Sequence, residues 1–164
     1  MRGAAALLAL LACSCGSEPT PAEKAARDAR DVAMVEAAQK VQPPVQPVGP
    51  QPIEQKDIDR YNLGGAGCAF VPRDRPGPVL LTGEDRGVLK IRDRLVVLAA
   101  DSGSARFPRN THEKYSGRGA SVQLTRGPGE GASAAGSMTV RDRYERVVYF
   151  SAGTLACTDR LTGA

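Results

Sequence analysis

Residues 88–99 read Val-Leu-Lys-Ile-Arg-Asp-Arg-Leu-Val-Val-Leu-Ala, two apolar runs separated by Arg-Asp-Arg. β-Branched residues favour strands, and an aspartate suits a tight turn because its side chain can hydrogen-bond the local backbone. The stretch therefore predicts two antiparallel strands, Val88–Arg92 and Leu95–Ala99, that form a hairpin.

Similar β-rich runs, separated by turns of Gly, Pro and Asp, follow Gly64-Gly65 and continue to the end of the chain. Their even spacing and the lack of a helical period predict a mainly β fold, a small antiparallel barrel or sandwich of about eight short strands. Segment 127–136, which is rich in glycine, is predicted to be a flexible loop. The further predicted strands are Cys68–Val71, Val79–Thr82, His112–Tyr115, Ser121–Thr125, Met138–Arg141 and Arg146–Cys157.

The chain before this domain has a different composition. Thr20-Pro21-Ala22-Glu23 has the spacing of a capping box and predicts a lone helix over about residues 21–40. Prolines dominate 41–52, which predicts a polyproline II spacer. The predicted organisation is a signal peptide over 1–12, a stalk over 13–52 and a β domain over 53–164, led in by a short helix or turn.

The N-terminus carries a second signature. One arginine and a short run of Ala and Leu end in Leu10-Leu11-Ala12-Cys13, which resembles the lipobox of bacterial lipoproteins. The resemblance implies removal of residues 1–12, acylation of the Cys13 thiol and a position on the periplasmic side of the bacterial envelope. Ser14 follows in place of an aspartate, which in that family implies the outer membrane. Cys15 is the alternative lipid site.

Two further cysteines bracket the predicted domain. Cys68 opens its first strand and Cys157 closes its last, so an oxidising compartment predicts a structural disulfide between them. A reactive thiol and a metal site are the alternatives. With His112 as the only histidine, these residues cannot make the usual four-ligand zinc site, and we expect no metal and no cofactor.

His112 is also the only side chain with an unperturbed pKa suited to general-base catalysis near neutral pH. Serines lie nearby in sequence, at Ser102, Ser104 and Ser116. No Gly-x-Ser-x-Gly turn presents any of them as a nucleophile. We therefore expect no enzyme activity, and a small periplasmic hydrolase acting through Ser104 and His112 is an alternative.

The charged residues of the predicted β domain indicate where it could bind a ligand. Residues 53–164 contain 17 Lys and Arg against 13 Asp and Glu, with the two signs interleaved. A basic stripe with aromatic residues is missing, so nucleic-acid binding is not expected. Arg-Asp-Arg occurs at 73–75, 92–94 and 141–143, each near a predicted turn. If these turns share one end of a barrel, Arg73, Arg92 and Arg141 form a clamp for phosphates or carboxylates.

Ser102-Gly103-Ser104-Ala105-Arg106-Phe107 is similar to a Ser-Gly-x-Arg-Tyr-like loop, with one extra residue and Phe for Tyr. That loop belongs to the membrane-bound inhibitors of c-type lysozyme, which are lipoproteins with a small β-barrel and an early and a late cysteine. The resemblance implies that Ser102 and Arg106 contact lysozyme.

These observations predict a lipid-anchored envelope protein with a non-catalytic binding or scaffolding β domain. Its expected partners are the membrane, through the anchor, and an envelope protein or an anionic envelope polymer. Inhibition of c-type lysozyme and the hydrolase are the alternative functions.

Overall fold

A computed structural model of the chain describes residues 18–128 and 131–163. It divides into two compact units, one ending at Pro43 and one beginning at Pro44. The predicted signal peptide and both candidate lipid sites, Cys13 and Cys15, lie outside the described residues.

The first unit contains helix α1, Pro21–Lys40. It begins with the predicted capping box: the Thr20 side chain accepts a hydrogen bond from the Glu23 amide, and the Glu23 carboxylate accepts one from the Thr20 amide. None of its residues is buried. Over the described residues, no helix has the length and hydropathy needed to cross a membrane.

The second unit is a closed barrel of eight antiparallel strands in which each strand pairs with the next and the last pairs with the first. This confirms the mainly β fold predicted from the sequence and decides between barrel and sandwich. The strands are β1 Gly67–Pro72, β2 Leu80–Thr82, β3 Arg86–Ile91, β4 Arg94–Ala100, β5 Lys114–Ser116, β6 Ala120–Arg126, β7 Ser133–Asp142 and β8 Val147–Thr158.

One predicted loop was partly wrong. Segment 127–136 was expected to be a flexible loop, but β7 begins at Ser133, five residues before the predicted Met138. Ala134 is buried, and Gly136 approaches the Thr125 carbonyl on β6 so closely that a side chain has no room. The small residues that suggested a loop are therefore those that let two strands pack closely.

The interior of the barrel holds the main hydrophobic core. Fully buried side chains include Phe70, Leu89, Leu98, Tyr115 and Met138, which come from five different strands. The Tyr115 hydroxyl accepts a hydrogen bond from the His112 amide and donates one to the Gly83 carbonyl. Burial raises the pKa of this phenol, so it stays protonated and keeps its donor role.

Cys68 and Cys157 form a disulfide inside the barrel, as predicted. They are direct partners on β1 and β8, the pair of strands that closes the barrel. The bond therefore joins the first and last strands of the sheet across its seam.

A second, smaller core lies on the outer face of the sheet. Helix α2, Gln55–Tyr61, packs there, and buried Ile53, Ile58 and Leu161 contact Leu81 and Val88. This confirms the expected short helix before the first strand. Helix α2 also covers apolar side chains on the outward face of β2 and β3.

The compact unit begins at Pro44, whereas the sequence placed the start of the domain at Ile53. The last part of the proline-rich segment contacts the barrel: the Val48 amide donates to the Val148 carbonyl, and the Gln51 amide donates to the Lys90 carbonyl. Pro50 is buried and bridges to Ile91. The segment thus crosses from β8 to β3, where Val48 packs against the core and Pro50 is buried, and the burial of their apolar surface favours this path.

Candidate functional site

The meander topology places the three Arg-Asp-Arg turns at one end of the barrel. In an antiparallel meander, every second connection returns to the same end, and these turns belong to the β1–β2, β3–β4 and β7–β8 connections. The β5–β6 turn, which carries Arg118, lies at this end too. A clamp of Arg73, Arg92 and Arg141 requires that their three turns share one end of the barrel, and the fold places them at one end.

We call this end of the barrel the arginine end and define it as residues 72–79, 91–94, 117–119 and 141–146. It holds eight arginines and four acidic residues. At the opposite end, the described residues 83–86, 101–113, 126–128 and 159–163 hold five arginines and five acidic residues. The fold therefore separates charges that alternate along the chain, and the barrel is electrically polar from end to end.

Some arginines of the arginine end are held by neighbours. The Arg146 guanidinium donates through Nε and Nη2 to Asp142 Oδ2, its backbone amide donates to Oδ1, and the guanidinium lies over the Tyr144 ring at 4.9 Å. This guanidinium is the first cause that lowers the pKa of Asp142. Arg141 donates to the Glu145 carbonyl, and Arg75 donates to the Pro50 carbonyl at 2.6 Å. These contacts fix the β7–β8 turn and the β1–β2 loop.

Five other arginines of this end are exposed, and within the described residues their side chains have no hydrogen-bond or ion-pair partner. Their guanidinium groups are available to a ligand in solution. The sequence singled out Arg73 and Arg92 among them, and Arg94 and Arg143 belong to the same Arg-Asp-Arg turns. Arg118 was missed because only the fold shows that the β5–β6 turn lies beside the others. The five are Arg73, Arg92, Arg94, Arg118 and Arg143.

Arg92 also has an unusual backbone. Arg92 and Asp93 are the two central residues of the β3–β4 turn, with φ of 51° and 58°. This left-handed pair is preferred in two-residue hairpins, where Asn-Gly is the usual sequence. Asp93 is held by Gln51, whose side chain contacts its amide and its carboxylate. Arg92 has no such contact among the described residues, so stability does not explain an arginine at this position.

The serine and histidine of the alternative hydrolase are not hydrogen-bonded to each other. The Ser104 hydroxyl donates to the Asp101 carbonyl and accepts from the Lys114 amide. His112 is buried, with only 4% of its surface exposed, and its Nδ1 has no hydrogen-bond partner within the described residues. Both residues lie on the β4–β5 connection, at the end of the barrel opposite the arginines.

Ser102 and Arg106, the predicted lysozyme contacts, lie on the same β4–β5 loop and are exposed. The Asp101 carboxylate accepts a hydrogen bond from the Gly103 amide and fixes the turn that carries Ser102. These two residues are therefore not part of the arginine end.

Across the described ranges, no group of three or more His, Cys, Asp or Glu side chains is placed to hold a metal ion. Comparisons with protein-family models, with curated proteins and with solved structures find no match.

Proposed function

We propose that the chain is a lipid-anchored protein of the bacterial envelope and that its barrel binds anionic groups at the arginine end without catalysis. The observation that carries the binding function is the convergence of three Arg-Asp-Arg turns on one end of the barrel. The anchor rests on the lipobox-like Leu10-Leu11-Ala12-Cys13, and the Cys68–Cys157 disulfide suits an oxidising compartment.

Arginine suits this role because its planar guanidinium can donate two parallel hydrogen bonds to one phosphate or carboxylate. The free side chains stand on four separate turns, so together they match a ligand that presents several anionic groups. An anionic envelope polymer or an acidic envelope protein has this chemistry. Lipidation at Cys13, with Cys15 as the alternative, would keep the barrel close to such partners.

A binding assay with inorganic polyphosphate tests the anion site. The full chain carrying Cys13→Ser and Cys15→Ser is compared with the same chain carrying Arg92→Asn, Arg118→Asn and Arg143→Asn. We expect the three substitutions to weaken binding roughly tenfold or more and to flatten its dependence on salt. The matched control replaces Arg106, Arg109 and Arg160 by Asn, which changes the net charge equally at the opposite end of the barrel.

Equal weakening in both variants would mean that net charge alone attracts polyphosphate, and the site proposal would fail. Mass spectrometry of the mature N-terminus tests the anchor separately. A diacylglyceryl group on Cys13 supports it, the same group on Cys15 moves the site, and an unmodified N-terminus rejects it.

Inhibition of c-type lysozyme is a second candidate function. It is favoured by the exposure of Ser102 and Arg106 on a turn fixed by Asp101. Residual lysozyme activity in the presence of excess protein measures it directly. We expect Arg106→Ala to relieve any inhibition and Arg92→Asn, at the other end of the barrel, to leave it unchanged.

A further inference from the structure

Strand β4 is paired on one side only over most of its length. Residues 94–99 pair with β3, whereas β5 pairs with Ala99 and Ala100 alone. The β3–β4 hairpin therefore extends past the β5–β6 turn, and one edge of β4 is open at the arginine end.

The hydrogen-bonding direction of each β4 residue follows from the hairpin. A two-residue turn makes Ile91 and Arg94 a hydrogen-bonded pair, and alternate residues of β4 then bond to β3. The Ala100 amide donates to the Asp85 carbonyl on that side, which agrees with this alternation. Leu95 and Val97 consequently direct their amides and carbonyls away from β3, and no described residue is their hydrogen-bond partner.

Positive charge borders the open edge at both of its ends. Arg92 and Arg94 stand at the hairpin tip, and Arg118 is in the turn at the other end. A Cβ added to Gly117 in that turn would lie 2.9 Å from Leu98 Cδ2 and 3.2 Å from the Val97 carbonyl oxygen, so the turn covers this carbonyl. The groups left open to an added strand are the amide and carbonyl of Leu95 and the amide of Val97. The Val97 side chain is 60% exposed. Asp93, the acid of the hairpin turn, is held by Gln51.

A groove of about 610 Å³ runs along the outer face of β3 and β4. Val97 and the exposed Tyr61 offer it apolar surface, and Arg60, Arg86 and Arg94 offer positive charge. Its two acids, Asp57 and Asp93, are held by Lys90 and Gln51. Side chains on one face of an added strand would have apolar and cationic surface to contact there.

We propose that an extended, acidic segment of a partner protein adds to β4 as a further strand, with its backbone on Leu95 and Val97 and its carboxylates on Arg92, Arg94 and Arg118. The inference rests on the proposed anion-binding function and names the chemical class of its partner. The partner must present an extended backbone, because the unpaired amides and carbonyls of β4 are spaced to hydrogen-bond with the amides and carbonyls of another strand. Proteins usually protect such edges with charges, prolines or bulges, and Leu95-Val96-Val97 has none of these.

The test uses the full chain with Cys13→Ser and Cys15→Ser and a blocked eight-residue peptide that alternates Glu and Val. Its affinity is measured by fluorescence anisotropy, and amide shifts are followed by NMR. We expect the largest shifts and new exchange protection at Leu95 and Val97. A peptide that alternates Lys and Val should bind at least tenfold more weakly.

Val97→Pro removes the outward amide while leaving the bonds to β3 intact, because Val97 does not donate to β3. We expect a loss of tenfold or more in affinity for the acidic peptide. Val97→Ala keeps the amide and is the matched control, with a loss below threefold. Should Val97→Pro not fold, a peptide N-methylated at alternate amides removes the same pairing without altering the protein, and it should fail to bind.

The outcomes separate the two proposals. If peptide binding survives Val97→Pro and N-methylation but is lost with Arg92→Asn and Arg118→Asn, the strand pairing is wrong and the anion site stands. If the arginine variants change neither peptide nor polyphosphate binding, both proposals fail. Protection of Leu95 that appears without peptide, and only as the protein dimerises, would assign the edge to a second copy and overturn the acidic partner.

Discussion

Cys68 and Cys157 face each other across the seam between β1 and β8, with their Cα atoms 3.9 Å apart. They are 89 positions apart in sequence, so the bond closes most of the barrel into one covalent loop. The disulfide therefore holds together the first and last strands of the sheet.

We predict that Cys68→Ala with Cys157→Ala lowers the free energy of unfolding by about 2 to 5 kcal/mol, since a cross-link of this span restricts the unfolded chain. Urea denaturation with and without reductant measures it. Reductant should shift the midpoint of the parent chain and leave that of the double variant unchanged. A parent chain that is insensitive to complete reduction would contradict the prediction.

Asp57 and Lys90 form an ion pair of 2.7 Å beneath α2, with side chains 14% and 11% exposed. The Lys90 ammonium, followed by the Glu54 amide, lowers the pKa of the Asp57 carboxyl from its ordinary value of 3.8. The pair therefore gives its full stabilisation of the folded state at pH values above the ordinary pKa of an aspartate. This contribution is lost as the pH falls through the lower, folded pKa.

Asp57→Asn should accordingly lower the free energy of unfolding by about 1 to 3 kcal/mol at pH 7, because it leaves the Lys90 charge without its partner. The deficit relative to the parent should shrink below pH 4. Asp59→Asn, an exposed aspartate of the same helix, is the control and should change stability by less than about 0.5 kcal/mol. Thermal unfolding between pH 2.5 and 7 compares the three proteins, and a deficit that is constant over this range would refute the assignment.

Gly153 on β8 lies against Phe70 and the Val71 carbonyl of β1. A Cβ at this position would be 2.8 Å from Phe70 Cζ and even closer to the carbonyl oxygen. We predict that Gly153→Ala destabilises the barrel by about 1 to 3 kcal/mol through overpacking at the seam. Gly65→Ala, with open space around it, is the matched control and should be close to neutral. Chemical denaturation measures the stability of both variants. Equal stability of Gly153→Ala and Gly65→Ala would show that β1 and β8 can separate slightly without loss of free energy.

Arg92 links stability to binding. Because Asn adopts positive φ more readily than Arg does, Arg92→Asn should stabilise the β3–β4 turn by about 0.5 to 1 kcal/mol while it weakens polyphosphate binding. Arg143→Asn should weaken binding without the gain in stability, since no positive φ is recorded at that residue. Unfolding and binding measured on both variants test whether the arginine is retained for function. A loss of stability in Arg92→Asn would instead assign the residue to the fold.

Local patterns were sufficient for several parts of the structure. The capping box at Thr20 marked the start of α1, because its hydrogen bonds join residues only three positions apart. The alternation of apolar runs and turns placed all eight strands, with the largest error at the start of β7. The error arose since small residues are common in loops and also where strands approach closely.

The amino-acid sequence by itself determined the mainly β class, the eight strands, the lone helix and the pairing of Cys68 with Cys157, because these depend on local propensity and on the small number of cysteines. Only the tertiary structure decided that the sheet closes into a barrel, that Val48 and Pro50 belong to it, and that one edge of β4 stays open. It also gathered Arg73, Arg92, Arg118 and Arg141 at one end. Charges that alternate along the chain separate in space because each strand reverses direction and every second turn returns to the same end.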